Sequence, residues 1–248
     1  MMLALWLGFA ALIPAVDDPP KPLNVCLISG SAEYESDASL SRLQEELEAR
    51  YPARCILLKA RGEAELPGLE ALDACDVALF FTRRLTIDGE SLAKVRKYAE
   101  AGRPIVGVRT ASHGFQRWLE FDKLVLGGNY QNHYKNGETV QVRIVPGSVA
   151  HPTLAGVVLP FDSKGSLYKN TPLTASDATV LLRGSSPEAT EPVAWAREFR
   201  GARVFYTSLG AQGDFENPAF RRMLANALFW AARRDVPSPK EGLASPKP

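Results

Sequence analysis

The sequence has few cysteines, no excess of charge of either sign and a single long apolar run. Its three cysteines among 248 residues are too widely spaced for a zinc knuckle or a CxxC redox pair. They allow at most one disulfide, and we interpret them as small buried hydrophobic residues. The 29 basic and 28 acidic side chains give a net charge of +1, so no global field attracts nucleic acid or an anionic membrane. We therefore expect no nucleic-acid partner.

The long apolar run lies at the start of the chain and is too short to span a bilayer comfortably. Residues 3–16 are almost wholly apolar and lead into a polar, proline-rich segment. No Lys or Arg precedes the run, but the pattern is otherwise typical of a secretory signal peptide. We expect residues 1–22 to be a signal peptide and linker. The protein is then predicted to be secreted or periplasmic, without stable insertion in a membrane.

Strand and helix patterns alternate through the first half of the chain. Four short apolar runs are typical of buried strands, and amphipathic segments separate them. The runs are 24–29, 54–59, 76–81 and 104–108. Alternation at this spacing predicts βαβ units and a parallel sheet with right-handed crossovers. We therefore predict a flavodoxin-like α/β fold, with a mostly parallel sheet and helices on both faces, in a single domain.

The second half departs from this alternation and predicts further strands of mixed direction. These strands are 139–145, 180–183, 192–199 and 203–208. Residues 200–202 form a short glycine-containing turn, which predicts a hairpin. A helix over 218–233, with Asn217 as its N-cap, closes a domain that we place at residues 23–234. Residues 235–248 are rich in proline and predict a disordered tail.

In an open α/β sheet the ligand crevice lies at the carboxyl ends of the strands. The segments that follow the first, third and fourth strands are 30–34, 82–84 and 107–114. The third has the sequence GVRTASHG and lies where glutamine amidotransferases carry a Gly-x-Cys-x-Gly elbow. Such a turn is expected to expose its central side chain, here Arg109, and to turn amide groups toward an anion. Arginine cannot be the nucleophile, so glutamine hydrolysis at this elbow is excluded.

Histidines are the candidate acid–base groups of this crevice. Only histidine titrates near neutral pH without perturbation, and His113 follows the elbow directly, so we predict that it is the general acid or base. His133 is a second candidate, whereas His151 is more simply a cap for the turn that follows it. Residues 127–134 (GGNYQNHY) carry side chains suited to sugar hydroxyls and sugar faces. An ordinary surface loop is the alternative for this segment.

Several motifs follow one another in a specific order between residues 24 and 233. They are VGVRTASHGF at 106–115, FDKLVLGGN at 121–129, LYK at 167–169, EPVAW at 191–195, VFYTSLG at 204–210 and DFENPAFRR at 214–222. In order and spacing they resemble the ThuA-like (trehalose-utilisation) family. The resemblance implies a class I glutamine amidotransferase-like fold. It also implies a role in carbohydrate metabolism, on trehalose and other disaccharides that are oxidised at the sugar ring.

Set against this family, the chain differs at two polar positions. Arg109 stands where many relatives have histidine, and Ala211 follows Leu209-Gly210 where the family typically has histidine. We predict catalytic roles for His113 and Arg109. Predicted substrate-binding residues are Ser112, Asn129, His133 and Tyr168.

These residues favour an enzyme that acts by acid–base chemistry on a disaccharide or keto-sugar glycoside, as an isomerase, lyase or hydrolase. A non-catalytic sugar-binding module on the same fold is the alternative, and the changes at Arg109 and Ala211 favour it. A divalent metal held by His113, His133 and Glu33 is a third alternative. Otherwise we expect no cofactor, since Gly30 lacks the later glycines of a Rossmann loop. Whether the chain forms a homodimer stays open.

Overall fold

Helices cover both faces of a nine-stranded sheet in the computed structural model, which describes residues 21–240. The predicted signal peptide, up to residue 20, and the predicted tail, from residue 241, lie outside the described residues. The strands are β1 (Leu23–Gly30), β2 (Ala53–Lys59), β3 (Val77–Thr82), β4 (Ile105–Val108), β5 (Asn132–His133), β6 (Val140–Ile144), β7 (Phe161–Ser163), β8 (Tyr168–Lys169), β9 (Thr179–Ser185), β10 (Thr190–Phe199) and β11 (Ala202–Thr207). The α-helices are α1 (Ser36–Arg50), α2 (Gly89–Glu100) and α3 (Pro218–Ala231).

The sheet has a parallel part and an antiparallel part, in the order β2-β1-β3-β4-β11-β10-β9-β6-β7. Strands β2, β1, β3, β4 and β11 are parallel to one another. Strands β10, β9, β6 and β7 then continue the sheet with antiparallel pairing. A separate ribbon pairs β5 with β8. The predicted single-domain flavodoxin-like α/β fold, with a mostly parallel sheet, is confirmed.

The alternation of side chains along β1 explains how one sheet supports two cores. Leu23, Val25 and Leu27 pack in a core with the apolar faces of α1 and α3. Cys26 and Ile28 point the other way, into a core that includes α2. Because successive residues of a strand face opposite sides, a strand covered on both faces must be continuously apolar. All six residues of β3 are buried, as its sequence predicts.

Local signals at helix ends and turns act as expected. The side chain of Asn217 accepts a hydrogen bond from the backbone N–H of Ala219, and Pro218 begins α3. Arg200 and Gly201 have φ values of 50° and 78° and form a two-residue turn between β10 and β11. This geometry is that of a type I′ hairpin, whose twist matches the adjoining strands. The hairpin prediction is confirmed, although Ala202 belongs to β11.

Two segments that follow strands of the parallel sheet form only 3₁₀ turns. The segment 66–74 contains only the 3₁₀ turn Leu69–Asp73, because Gly68 before it adopts a left-handed φ of 83°. The elbow is followed by the 3₁₀ turn Arg109–His113, and no α-helix begins there. The elbow therefore lacks the run of aligned amides that a full helix N-terminus provides.

Candidate functional site

The elbow between β4 and the following 3₁₀ turn is strained. Arg109 has a φ of 46°, in the left-handed region that non-glycine residues rarely adopt. Such a residue costs of order 1–2 kcal/mol and persists only where its surroundings hold it. Contrary to the sequence-based expectation, the side chain is not exposed, since only 1% of Arg109 is accessible to solvent. The arginine folds back beneath neighbouring tyrosines, so its charge lies inside the protein.

Two tyrosine rings enclose the Arg109 guanidinium. Its central carbon lies 4.5 Å from the ring centroid of Tyr34 and 4.8 Å from that of Tyr168. Nη1 donates to the carbonyl of Ser208 at 2.9 Å, and Nη2 donates to the hydroxyl of Ser166 at 3.2 Å. Nε is buried without a hydrogen-bond partner among the described residues. The guanidinium is held by rings and neutral oxygens, and no carboxylate among the described residues forms an ion pair with it.

Arg109 nevertheless stays protonated. Burial works to lower its pKa, but the neighbouring phenol groups of Tyr168 and Tyr34, together with the carboxylate of Asp214, raise it above the ordinary value. That carboxylate is itself buried and accepts hydrogen bonds from the backbone N–H groups of Gly210 and Ala211. The changed position Ala211 thus lies at the same end of the sheet as the elbow.

His113 lies next to this group, half-buried and stacked on Tyr130. The two ring centroids are 4.4 Å apart, and the Tyr168 ring lies 6.1 Å from the imidazole. Nδ1 of His113 lies 3.1 Å from the hydroxyl of Ser112, which is itself buried. Tyr168 therefore touches both predicted catalytic residues, the guanidinium of Arg109 on one side and the imidazole on the other.

The imidazole of His113 is neutral at physiological pH. Burial, followed by the positive charges of Arg84, Arg83 and Arg109, lowers its pKa to about 3. The expectation that this histidine titrates near neutrality is therefore wrong. The charges of Arg83 and Arg84 belong to the segment after β3, so their effect on the pKa of His113 cannot be predicted from the residues beside it. A neutral imidazole carries one N–H and accepts a proton on its other ring nitrogen, so it acts as a general acid only after it has acted as a base.

The remaining predicted residues occupy different places. His133 lies in β5 opposite Tyr168 of β8, and its Nδ1 is 2.7 Å from the carbonyl of Tyr134. In that contact Nδ1 donates to the carbonyl, so in the neutral ring Nε2 is the acceptor. The amide of Asn129 donates to the carbonyl of Pro172 at 2.9 Å, so it fixes its own loop.

His151 is distant from this group and has a structural role. Its ring accepts a hydrogen bond from the backbone N–H of Thr153 and so caps the turn Pro152–Leu154, as predicted. The ring also packs against Trp230, with centroids 5.0 Å apart. It is consequently a useful control for experiments on His113.

Sequence reasoning missed a buried carboxylate that supports the site. Glu191 accepts hydrogen bonds from the hydroxyl and backbone N–H of Thr171, at 2.6 and 3.0 Å. It also accepts from the backbone N–H of Asn170 at 3.3 Å and from the hydroxyl of Tyr134 at 3.2 Å. Glu191 thereby fixes the segment that carries Tyr168. Its motif, EPVAW, marked the position without indicating the role.

The metal site considered from sequence is not formed. Within residues 21–240, no three His, Cys, Asp or Glu side chains lie close enough together to hold a metal ion. Glu33 instead forms an ion pair with Arg83 at 2.7 Å. The three cysteines are free, with Cys26 and Cys75 buried and Cys55 half-buried.

With this geometry in place, comparison with known proteins identifies the family. The model of the ThuA family, described as trehalose utilisation, matches residues 25–231. The chain belongs to the ThuA family. This family is linked to trehalose utilisation and hence to carbohydrate metabolism. A comparison with curated proteins gives no match.

Solved structures show the fold that this ThuA chain shares. A ThuA-like protein from Parabacteroides merdae is 16% identical with a TM-score of 0.67, over 88% of this chain and 92% of that one. One from Bacteroides uniformis is 17% identical with a TM-score of 0.66, over 90% and 96% of the two chains. The protein STM3548 from Salmonella typhimurium is 14% identical with a TM-score of 0.58, over 84% and 99%. At these identities the likeness extends to the fold alone.

The comparisons correct one expectation. The secreted or periplasmic location predicted from residues 1–22 is contradicted, because STM3548, which shares the fold, is a cytoplasmic protein. The apolar run behind that prediction lies outside the described residues. In the part of the chain that the structure describes, no helix has the length and apolar character needed to cross a membrane.

Proposed function

We propose that this ThuA protein acts by acid–base chemistry on a keto-sugar glycoside derived from a disaccharide. In the proposed step, neutral His113 accepts the proton from the carbon next to the ring carbonyl. The electron pair of the broken C–H bond moves to the carbonyl oxygen and forms an enolate. The imidazolium then returns the proton, to the same carbon or to another atom of the enolate.

One observation carries this proposal: a half-buried, neutral imidazole stacks on Tyr130 beside the positive charges of Arg84, Arg83 and Arg109. Charges that disfavour an imidazolium also favour an enolate oxygen, because both effects come from the same positive potential. Arg109, buried beneath Tyr34, is proposed to act through its charge and not through direct contact in this conformation. Its neutral replacement would leave the enolate less stable.

Substrate contacts are proposed for the other residues from their hydrogen-bonding groups and ring faces. Nε2 of His133 is an acceptor for a sugar hydroxyl, since Nδ1 carries the proton. The half-buried ring of Tyr130 suits the apolar face of a sugar ring. Tyr168, only 2% exposed between Arg109 and His113, is proposed to hold these two groups in place. Ser112 is proposed to orient the His113 ring through its hydroxyl. For Asn129 the free amide oxygen is the proposed contact, because its nitrogen already binds Pro172.

A non-catalytic sugar-binding module remains the second candidate, and two observations favour it. The guanidinium of Arg109 is shielded from solvent, and Ala211 provides no polar side chain beside it. In that case Tyr130 and His133 would bind a sugar without proton transfer. The family's link to carbohydrates fits both candidates equally.

Hydrogen–deuterium exchange measured by NMR distinguishes them. Disaccharides and their 3-keto derivatives are incubated in deuterated buffer with the wild-type protein, His113→Ala and Arg109→Ala, with His151→Ala as the matched control. Exchange is expected to fall roughly 10²–10⁴-fold in His113→Ala and to persist in His151→Ala. Between pH 8 and 5 the rate should stay flat, because His113 is deprotonated above a pKa of about 3. Binding shifts without exchange in the wild type would exclude the enzyme and leave the binding module.

A further inference from the structure

A cavity of about 480 Å³ lies beside the crevice, at the carboxyl end of β1. Its walls come from residues 30–33 and 35–38, from residues 60, 62 and 63 after β2, and from Arg83 and Leu85 after β3. None of the predicted catalytic or substrate-binding residues lines it, whereas Glu33, considered from sequence as a metal ligand, does. Pockets that bind small molecules typically enclose ~300–1,000 Å³, so the space suits one or two sugar rings.

The cavity and the crevice share structural groups. The hydroxyl of Ser31, in the cavity wall, accepts a hydrogen bond from Thr110 at 2.9 Å, and Thr110 directly follows Arg109 in the elbow. Arg83 also lines the cavity, and its charge is among those that act on His113. Its backbone N–H donates to the carbonyl of Gly30 at 2.8 Å, which fixes β3 against β1 at this edge. The cavity therefore adjoins the elbow that carries the proposed acid–base group.

Carboxylates dominate the charge of the cavity wall. Glu33, Glu35, Asp37 and Glu63 contribute four negative charges, against a single positive charge from Arg83. Arg83 is already paired with Glu33. The other three acids form no ion pair with any described residue, so the wall has an excess of three negative charges. Carboxylate oxygens accept hydrogen bonds from hydroxyl groups and repel anions.

We propose that this cavity binds the non-reacting glycosyl unit of the substrate and selects units that carry no anionic group. The inference rests on the proposed function, in which the other unit reacts at His113. The two parts of the binding region then differ in charge. The positive charges of Arg84, Arg83 and Arg109 act on the imidazole, where an enolate develops, whereas carboxylates predominate around the unit that only anchors the substrate. A phosphate or carboxylate on the anchoring unit would be repelled.

Charge reversal at Glu63 tests the proposal. Glu63 is exposed, and the hydrogen bond that its backbone carbonyl accepts from Thr86 survives a change of side chain. Glu65→Arg is the matched control, since Glu65 is an exposed acid two residues away that does not line the cavity. The probes are a 3-keto methyl glycoside, the neutral 3-keto disaccharide, and that disaccharide phosphorylated on its unreacted ring.

The wild type is expected to have a lower KM for the neutral disaccharide than for the methyl glycoside, and to bind the phosphorylated form at least about tenfold more weakly. In Glu63→Arg the KM of the neutral disaccharide should rise, and the phosphorylated form should gain affinity. The methyl glycoside should be unaffected. Glu65→Arg should behave as the wild type.

The failures of the two proposals are distinguishable. Equal KM values for disaccharide and methyl glycoside, or wild-type discrimination in Glu63→Arg, would overturn the cavity assignment while exchange on the methyl glycoside upholds the proposed function. If no probe exchanges, amide shifts of Gly30 and Gly62 on adding the neutral disaccharide decide the matter. Shifts at these two wall residues support the cavity, and their absence refutes it.

Discussion

Glu191 gives the sharpest test of how the site is supported. The side chain is 5% exposed, and its carboxylate accepts four hydrogen bonds, from Tyr134, Asn170 and twice from Thr171. No described Lys or Arg pairs with it. Glu191→Ala would remove all four acceptors and leave the backbone N–H groups of the segment behind Tyr168 without partners.

The loss of stability in Glu191→Ala follows from the burial of those donors. A hydrogen bond to a charged group contributes ~1.5–3 kcal/mol, and a buried donor left unpaired costs ~1–3 kcal/mol. The hydrogen bond from Asn170 is fully buried, whereas the other three hydrogen bonds are partly buried. We expect Glu191→Ala to lower the free energy of unfolding by about 3 kcal/mol. For a chain of this size that corresponds to a fall in Tm of about 6–12 °C.

Two further variants make the measurement specific. Glu191→Gln keeps a carbonyl oxygen for Thr171, and its NH₂ group can donate to the Tyr134 hydroxyl, so a loss of about 1 kcal/mol or less is expected. Glu188→Ala is the control, because this exposed carboxylate accepts only from the backbone N–H of Lys135 at 3.2 Å. It should change stability by less than about 0.5 kcal/mol.

Urea unfolding followed by tryptophan fluorescence measures these differences, with Trp195 a buried reporter in the same strand. Amide shifts of residues 168–171 report whether the segment has moved. The reasoning is refuted if Glu191→Ala loses less than about 1 kcal/mol, or if Glu191→Gln loses as much as Glu191→Ala.

Two other predictions concern pH and backbone conformation. Burial raises the pKa of Asp122 to about 6, so its carboxylate destabilises the fold above that pH. Asp122→Asn should therefore raise the free energy of unfolding by about 1–3 kcal/mol at pH 8, and this gain should disappear between pH 6 and 4. A difference in urea unfolding that does not depend on pH would contradict this. Gly102, at φ 66°, has no room for a Cβ against the Arg200 carbonyl, whereas Gly201, at φ 78°, faces open space. Gly102→Ala should lower the free energy of unfolding by about 3 kcal/mol and Gly201→Ala by about 1 kcal/mol. Equal losses of stability in thermal unfolding would disprove the steric explanation.

Elements governed by nearby residues were predictable. The run 76–81 indicated β3 because a strand covered on both faces needs apolar residues throughout. Asn217-Pro218 marked the start of α3 through capping chemistry that involves neighbouring residues alone. Strands β5 and β8 were not predicted, since two residues are too few to show a pattern.

The candidate site was predictable in position but not in detail. The sequence placed Arg109 and His113 at the end of β4, and they lie there. The direction of the Arg109 side chain depends on Tyr34 and Tyr168, which are far away in the chain and meet only after folding. The pKa of His113 likewise depends on arginines from the end of another strand.

The position of β11 has a consequence for how the chain is made. Synthesis from the N-terminus completes β2, β1, β3 and β4 first, yet the neighbour of β4 in the finished sheet is β11, roughly 100 residues later. At ~5–20 residues per second, a ribosome leaves the wholly apolar edge of β4 unpaired for about 5–20 s. During that interval β4 is an edge strand that can pair with other chains. In any product that ends before Ala202, β4 lacks its partner β11 and remains such an aggregation-prone edge.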